Sequence, residues 1–295
     1  MKRIQPTDLD QAVYDLFDDY VHSRIDRRQF LNRVSRYAVA GLTASAILEF
    51  LSPNYAQAIQ VAADDARLQS ETIEYDSVKG AGKMKGLLTR KPGNGIKIPG
   101  VVVVHENRGL NPHIADVARR TALEGFIALA PDALTPLGGY PGDDDQGREL
   151  QKQRSADDML QDFIAAFHYL KNHPECNGTV GVVGFCFGGW IANMMAVHLP
   201  DLRAAVPFYG RQPKSDEVAR ITAPLLLHYA GLDQKVNAGW PEYEAALKKY
   251  KKEYTAYVYP NVNHGFHNDT TPRYDKAAVE LAWKRSIDFF KSKLG

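Results

Sequence analysis

From residue 68 onward the apolar residues come in two alternating rhythms. Continuous runs such as Val101 to Val104 in "IPGVVVVHE", and the run "TVGVVG", have no polar member to turn toward water, which predicts strands buried on both faces. "ETIEYDSV" and "KMKGLLTR" predict a pair of opening strands, and "GFIALAP", "RAAVPFYG", "APLLLHYAG" and "YTAYVYP" predict four more. Between them, Pro112 to Glu124, Ser155 to Asn172, Phe187 to Leu199, Trp240 to Lys252 and Tyr274 to Lys293 predict helices. This alternation implies an α/β domain over residues 59–295, a mostly parallel sheet with helices on both faces. "TPLGGYPGDDDQGRELQK" is rich in Gly, Pro and Asp and predicts a long loop near the carboxyl edge of the sheet.

The first 58 residues follow another pattern. Thr7 to Ser23 predicts a helix with Leu9, Val13, Leu16, Phe17 and Tyr20 on one side and acids elsewhere. "DRRQFLNR", an apolar stretch from Tyr37 to Leu51 and "NYAQA" ending at Ala58 resemble a twin-arginine export leader. The expectation is export to the periplasm or beyond by the twin-arginine machinery, with an N-terminal helical hairpin packed on the domain as the alternative. Glu49 inside the apolar stretch gives the second some weight, and the alternative location is the cytoplasm. The stretch is too short for a stable membrane span, which needs about 20 residues.

Charge narrows the partners. Thirty-six basic against thirty-five acidic residues give a formal charge of +1, so nothing points to nucleic acid. Two cysteines cannot build a zinc cluster alone. A disulfide between Cys176 and Cys186 would have to span an intervening strand of about 17 Å, far beyond the ~7 Å limit on Cα separation, so both are read as free thiols.

The candidate chemistry begins at "VGVVGFCFGGWIANMMAV", where a buried strand gives way to an apolar helix at Cys186. Gly184 and Gly188 bracket the thiol as G-x-C-x-G, the thiol form of a nucleophile elbow. Other polar residues fall after predicted strands: His105 and Glu106, then Asp233 in "GLDQKV", then His264 in "NVNHGFHN". The order nucleophile, acid, base assigns attack on an acyl carbon to Cys186, proton transfer to His264 and orientation of the imidazole to Asp233. Backbone N–H groups of Phe187 and Asn107 would form the oxyanion hole. His267 competes with His264 for the base, His105 reads as structural, and Gly-x-Asp is also turn chemistry.

"HENRGLN", "GFCFGG", "GLDQKV" and "NHGFHN", in that order, resemble the dienelactone hydrolase family, the carboxymethylenebutenolidases, over roughly Gln69 to Gly295. The resemblance implies one α/β-hydrolase domain without a separate lid domain, and a Cys-His-Asp triad that hydrolyses an ester or lactone substrate through a thioester, with no cofactor and no metal. It also implies that Glu106 holds the resting thiol in check. The family's arginine four residues after the catalytic histidine is Asn268 here, which predicts a preference for neutral substrates unless Arg148, Arg154 or Arg211 reaches the pocket. Two other readings are a redox-active thiol protein, for which a nearby resolving cysteine is wanting, and a non-catalytic binding module on the same scaffold.

Overall fold

The computed structural model describes residues 5–6, 9–37, 43–93 and 95–295. Among the described residues, the N-terminal part holds the α-helices α1 (Gln11–Val21), α2 (Arg27–Val34), α3 (Ala44–Leu51) and the single turn α4 (Tyr55–Ala58). Residues 38–42 of the predicted export-type apolar stretch lie outside the described residues. Asp10, Asp26 and Thr43 cap the first three helices with their side chains, and Asp26 with Gln29 completes a capping box. Arg27 and Arg28 therefore form the first turn of α2, and Ala58 closes α4.

The domain that follows runs β1 (Gln69–Ser77), β2 (Gly82–Arg90), β3 (Ile98–Val104), α5 (Pro112–Leu123), β4 (Ile127–Pro131), α6 (Asp144–Lys152), α7 (Ala156–Lys171), β5 (Cys176–Phe185), α8 (Phe187–His198), β6 (Ala204–Phe208), β7 (Leu225–Ala230), α9 (Gln234–Asn237), α10 (Trp240–Lys249), β8 (Tyr254–Tyr259) and α11 (Lys276–Leu294). The eight strands form one sheet in the order β1-β2-β4-β3-β5-β6-β7-β8. The pairs β1–β2 and β2–β4 are antiparallel and the rest parallel. This is the α/β-hydrolase arrangement.

The sheet is sealed on both faces. One face packs Phe163 and Phe167 of α7 with Ile191 and Met195 of α8, and the other packs Val117 of α5 with Phe290 of α11. Val101 to Val104 are fully buried, as their unbroken apolar run required. Cys176 opens β5 and Cys186 follows its far end; both are free thiols.

One expected element is different. The Gly- and Asp-rich segment predicted as a long loop contains α6. Asp143 caps it, Asp144 and Asp145 occupy its first turn and Lys152 its last, so charge placement along the helix dipole outweighs the turn-forming composition.

The N-terminal helices have a small core of their own, with Val13, Phe17, Phe30, Val34, Ile47 and Leu51 buried among one another. Burial of these side chains, at about 1.5–3 kcal/mol each, contributes to ordering the segment. It is also tied to the larger domain. Tyr20 donates to Asp145 at 2.5 Å, Asn107 donates to the Val21 carbonyl at 2.6 Å, and Gln11 donates to Asn263 at 2.5 Å. Among the described residues, no helix is long and apolar enough to cross a membrane.

Candidate active site

The strand-to-helix corner has the geometry its glycines predict. Cys186 sits at φ 57°, in the left-handed region that side chains ordinarily avoid, between β5 and α8. A Cβ at 184 would run into the Gly188 carbonyl, and one at 188 into the carbonyls of Val104 and His105. Only glycines allow α8 to come this close to β5 and β3 while lifting the thiol to the corner.

His264, on the loop after β8, reaches Asp233, on the loop after β7. His264 Nδ1 lies 2.5 Å from Asp233 Oδ2, with both side chains buried. Asp233 also caps α9 by accepting from the Val236 N–H, so one residue both forms the turn and meets His264. His267 is buried among Phe185 and Phe208 and its ring nitrogens have no hydrogen-bond partner; it does not meet Asp233. His105 is a structural group, with Nδ1 2.5 Å from the Glu106 carbonyl and Nε2 accepting from Ala133 N–H.

A residue that the sequence reading did not single out touches the thiol. His22, the C-cap of α1, places Nε2 3.2 Å from Cys186 Sγ. Its Nδ1 lies 2.8 Å from the Asp18 carbonyl and 3.0 Å from the Asp18 carboxylate. The rings of His22 and His264 meet edge to face at 4.7 Å. Nothing local in the sequence signals this contact, since the partners are 164 residues apart. Among the described residues, His22, Cys186 and His264 form the one thiol–imidazole cluster whose donor atoms all lie within 4.8 Å of one another.

The electrostatics follow from that convergence. Burial pushes the Cys186 thiol up, but the charges of His22 and His264 outweigh it and bring the thiol down to about 6. Burial pulls His22 down, while the Cys186 thiolate and Asp18 raise it to about 9. His264 is raised well above the ordinary imidazole range, with Asp233 and Cys186 overcoming burial.

Glu106 is buried and accepts a hydrogen bond from Asn268 Nδ2 at 3.0 Å, with Arg108 3.6 Å away. Burial would raise its carboxyl; Arg108 above all holds it low. Asn268, which stands where the family's arginine would, is fully buried and accepts from Thr270 with its other amide atom. Of the three arginines considered from sequence, Arg154 pairs with Asp162 at 2.8 Å and Arg148 with Asp145, the latter stacked on the Tyr20 ring. Both are used in packing α6 and α7 and the N-terminal helices, because α6 replaces the expected loop. Arg211, stacked 5.2 Å over Trp190, does line the cavity at the thiol. That cavity encloses about 370 Å³ and is bounded by Cys186, His264, His22, Trp190, Asn107 and Arg211 among others. Tyr209, also on its wall, is held at φ 37° with its hydroxyl unpartnered.

Residues 84–294 match the model of the dienelactone hydrolase family. The chain belongs to the dienelactone hydrolase family. Its N-terminal residues 1–39 match a second family model, described as YqhI-like. Relatives of this dienelactone hydrolase-family chain include an Escherichia coli K12 protein named as the hydrolase fragment YghX, 55% identical over 112 residues, which are 38% of this chain and 96% of that one. A Saccharolobus solfataricus protein bearing the name carboxymethylenebutenolidase is 32% identical over 231 residues, 65% of this chain and 88% of that one. A crystal structure from Klebsiella pneumoniae, titled as a dienelactone hydrolase, superposes with a TM-score of 0.66 at 27% identity, covering 76% of this chain and 99% of the other.

Proposed function

We propose that this dienelactone hydrolase-family enzyme cleaves a carboxylic ester or lactone with Cys186 as nucleophile, through a thioester acyl-enzyme. The observation that carries the reading is the buried Asp233–His264 pair directed at a thiol held at φ 57° on a strand-to-helix corner. The N-terminus of α8 begins at the next residue, so its backbone dipole favours both a thiolate and the oxyanion that forms beside it. The Phe187 N–H follows the nucleophile, and Asn107 lines the same cavity, which supports these two as oxyanion donors.

In the reaction, the thiolate attacks the acyl carbon, and the carbonyl electron pair moves onto oxygen. Collapse breaks the C–O bond and the leaving alkoxide takes a proton from His264 Nε2. Water then attacks the thioester, giving its proton to the same nitrogen, and the C–S bond breaks to restore the thiolate. A cavity of about 370 Å³ suits a small ester or lactone. With Asn268 engaged by Glu106, a substrate carboxylate would be met by Arg211. The other cysteine, at the far end of β5, offers no resolving thiol, which weighs against a redox cycle.

The test is hydrolysis of p-nitrophenyl acetate and of a butenolide by the full chain, with acyl-enzyme trapped by acid quench and located by mass spectrometry. An acyl adduct on Cys186 and loss of turnover in Cys186→Ala are expected; full activity in that variant would remove the thiol mechanism.

Twin-arginine export remains a second, separate proposal, resting on Arg27-Arg28 and the apolar segment after them. Because α1 contributes to the thiol cavity, the exported active form would retain its N-terminal helices. Changing both arginines to lysine should trap the chain in the cytoplasm, and undiminished extracytoplasmic yield would exclude this route.

A further inference from the structure

Two imidazoles, each backed by an aspartate, converge on one sulfur. A thiol hydrolase needs only one, so the second requires its own account. His22 is held in place by more than one element. The α1 helix that ends at it is packed through Val13, Phe17 and Val21, Tyr20 and Val21 are anchored to Asp145 and Asn107, and Arg273 lies 5.1 Å over the Phe17 ring. Lys235 pairs with Asp19 and lies 3.5 Å from Asp18, fixing the carboxylates beside His22 to the loop after β7.

The two rings are not equivalent. His22 Nε2 lies 3.2 Å from Sγ, whereas His264 is also drawn to the sulfur, which helps to raise it, but its Nε2 lacks the geometry of a full hydrogen bond. One nitrogen holds the sulfur closely, and the other holds it loosely enough to turn to a reacting group.

We propose that His22 is a second catalytic imidazole, supplied by the N-terminal segment: as the cation that holds the Cys186 thiolate, it frees His264 Nε2 for the leaving alcohol and the attacking water. This deepens the reading of Cys186 as nucleophile and rests on it. In the resting state the sulfur is a thiolate and both rings are protonated: the thiol proton has passed to one imidazole and solvent supplies the other, so His22 faces Sγ as a cation and His264 Nε2 carries the proton that the alcohol takes. His22 keeps its proton throughout; it loses its anionic partner when the C–S bond forms and regains it when that bond breaks. The proton given to the alcohol and the one taken from water both pass through His264, so the cycle closes with one water consumed per ester. Groups facing His22 are Asp18 and Asp19 from α1, Arg24 just after it, Cys186 from the elbow, His264 and Arg273 from the segment after β8, and Asp233 and Lys235 from the loop after β7. The raised His22 and lowered Cys186 are two views of the same pairing.

The experiment uses full-length His22→Gln, which preserves a hydrogen-bond donor of similar reach but carries no charge. Iodoacetamide alkylation of Cys186, mapped by mass spectrometry in the presence of a chelator, is followed against pH beside kcat/KM for p-nitrophenyl acetate. The thiol midpoint should rise by at least about one unit toward the ordinary ~8.5, and complete reversion would lower the thiolate fraction at pH 7 roughly 30-fold. The loss in kcat/KM should shrink as pH is raised to 9. Asp18→Asn should move the midpoint the same way by less, and it supplies the readout if the first variant folds poorly. His264→Gln should behave differently: alkylation persists while turnover is lost at every pH. An unmoved midpoint in both His22→Gln and Asp18→Asn would overturn the proposal and reduce His22 to packing. A dead Cys186→Ala with unaffected His22→Gln sinks this inference alone, whereas an active Cys186→Ala sinks the thiol mechanism beneath it.

Discussion

Asp233→Asn is the most discriminating change at the proposed triad. The carboxylate is 2.5 Å from His264 Nδ1 and its side chain is 3% exposed, so solvent screens little of the interaction. Asparagine keeps the size and leaves an oxygen to cap α9 by accepting from Val236 N–H, so the fold should survive. It removes the negative charge that stabilises the His264 imidazolium and allows an amide N–H to face Nδ1. That favours the wrong tautomer, with Nε2 carrying the proton when it should accept one from water. In a Ser-His-Asp triad the same Asp-to-Asn change, which leaves the geometry intact and reverses the tautomer, lowers kcat by about 10⁴-fold, so a fall of roughly 10²- to 10⁴-fold in turnover is expected here. The alkaline limb of the rate profile should also move to lower pH, because loss of Asp233 lowers the His264 pKa and the protonated donor is lost earlier as pH rises than in wild type. The assay is kcat and kcat/KM for p-nitrophenyl acetate from pH 5 to 9, with circular dichroism and urea midpoints to verify folding. A folded variant within threefold of wild type would show that Asp233 does not support the base, and the triad would have to be redrawn.

In wild type, Cys186 alkylation should follow a midpoint near 6: the lowered pKa keeps the reactive thiolate above that pH and loses it below. A midpoint of 8 or higher would exclude the thiolate–imidazolium pair. Gly188→Ala should destabilise the fold by about 3 kcal/mol in urea unfolding, since its Cβ would lie 2.6 Å from the His105 carbonyl with no side chain able to rotate away; a cost below ~1 kcal/mol would mean that the elbow relaxes. Asn268→Arg should not create a carboxylate receptor, because the position is buried against Glu106 and Thr270. Lower stability with an unchanged ratio of kcat/KM for a carboxylated lactone and its methyl ester is expected, and a clear rise in that ratio would refute it. Arg211→Met should weaken the carboxylated lactone by only about two- to fivefold, as an exposed cation contributes little in water; equal use of both substrates before and after would remove Arg211 from recognition.

Much of the catalytic domain is written in local sequence. Short unbroken runs of β-branched valine favour a strand covered on both faces, and G-x-C-x-G favours the elbow because its glycines remove atoms for which there is no space. Asp233 and His264 were legible because parallel strands in a sheet of this kind deliver their carboxyl ends to one edge, so position after a strand stands in for proximity. The amphipathic face of α1 was legible too, but not the surface it would cover. Amphipathicity states that a face must be buried and says nothing about its partner. Tertiary packing alone put His22 on a sulfur 164 residues away, turned Arg148 and Arg154 to other carboxylates while leaving Arg211 at the cavity, and bound Asn268 to Glu106. Side chains that long or that remote are placed by which charges and cavities the finished fold offers them, and no spacing along the chain encodes that choice.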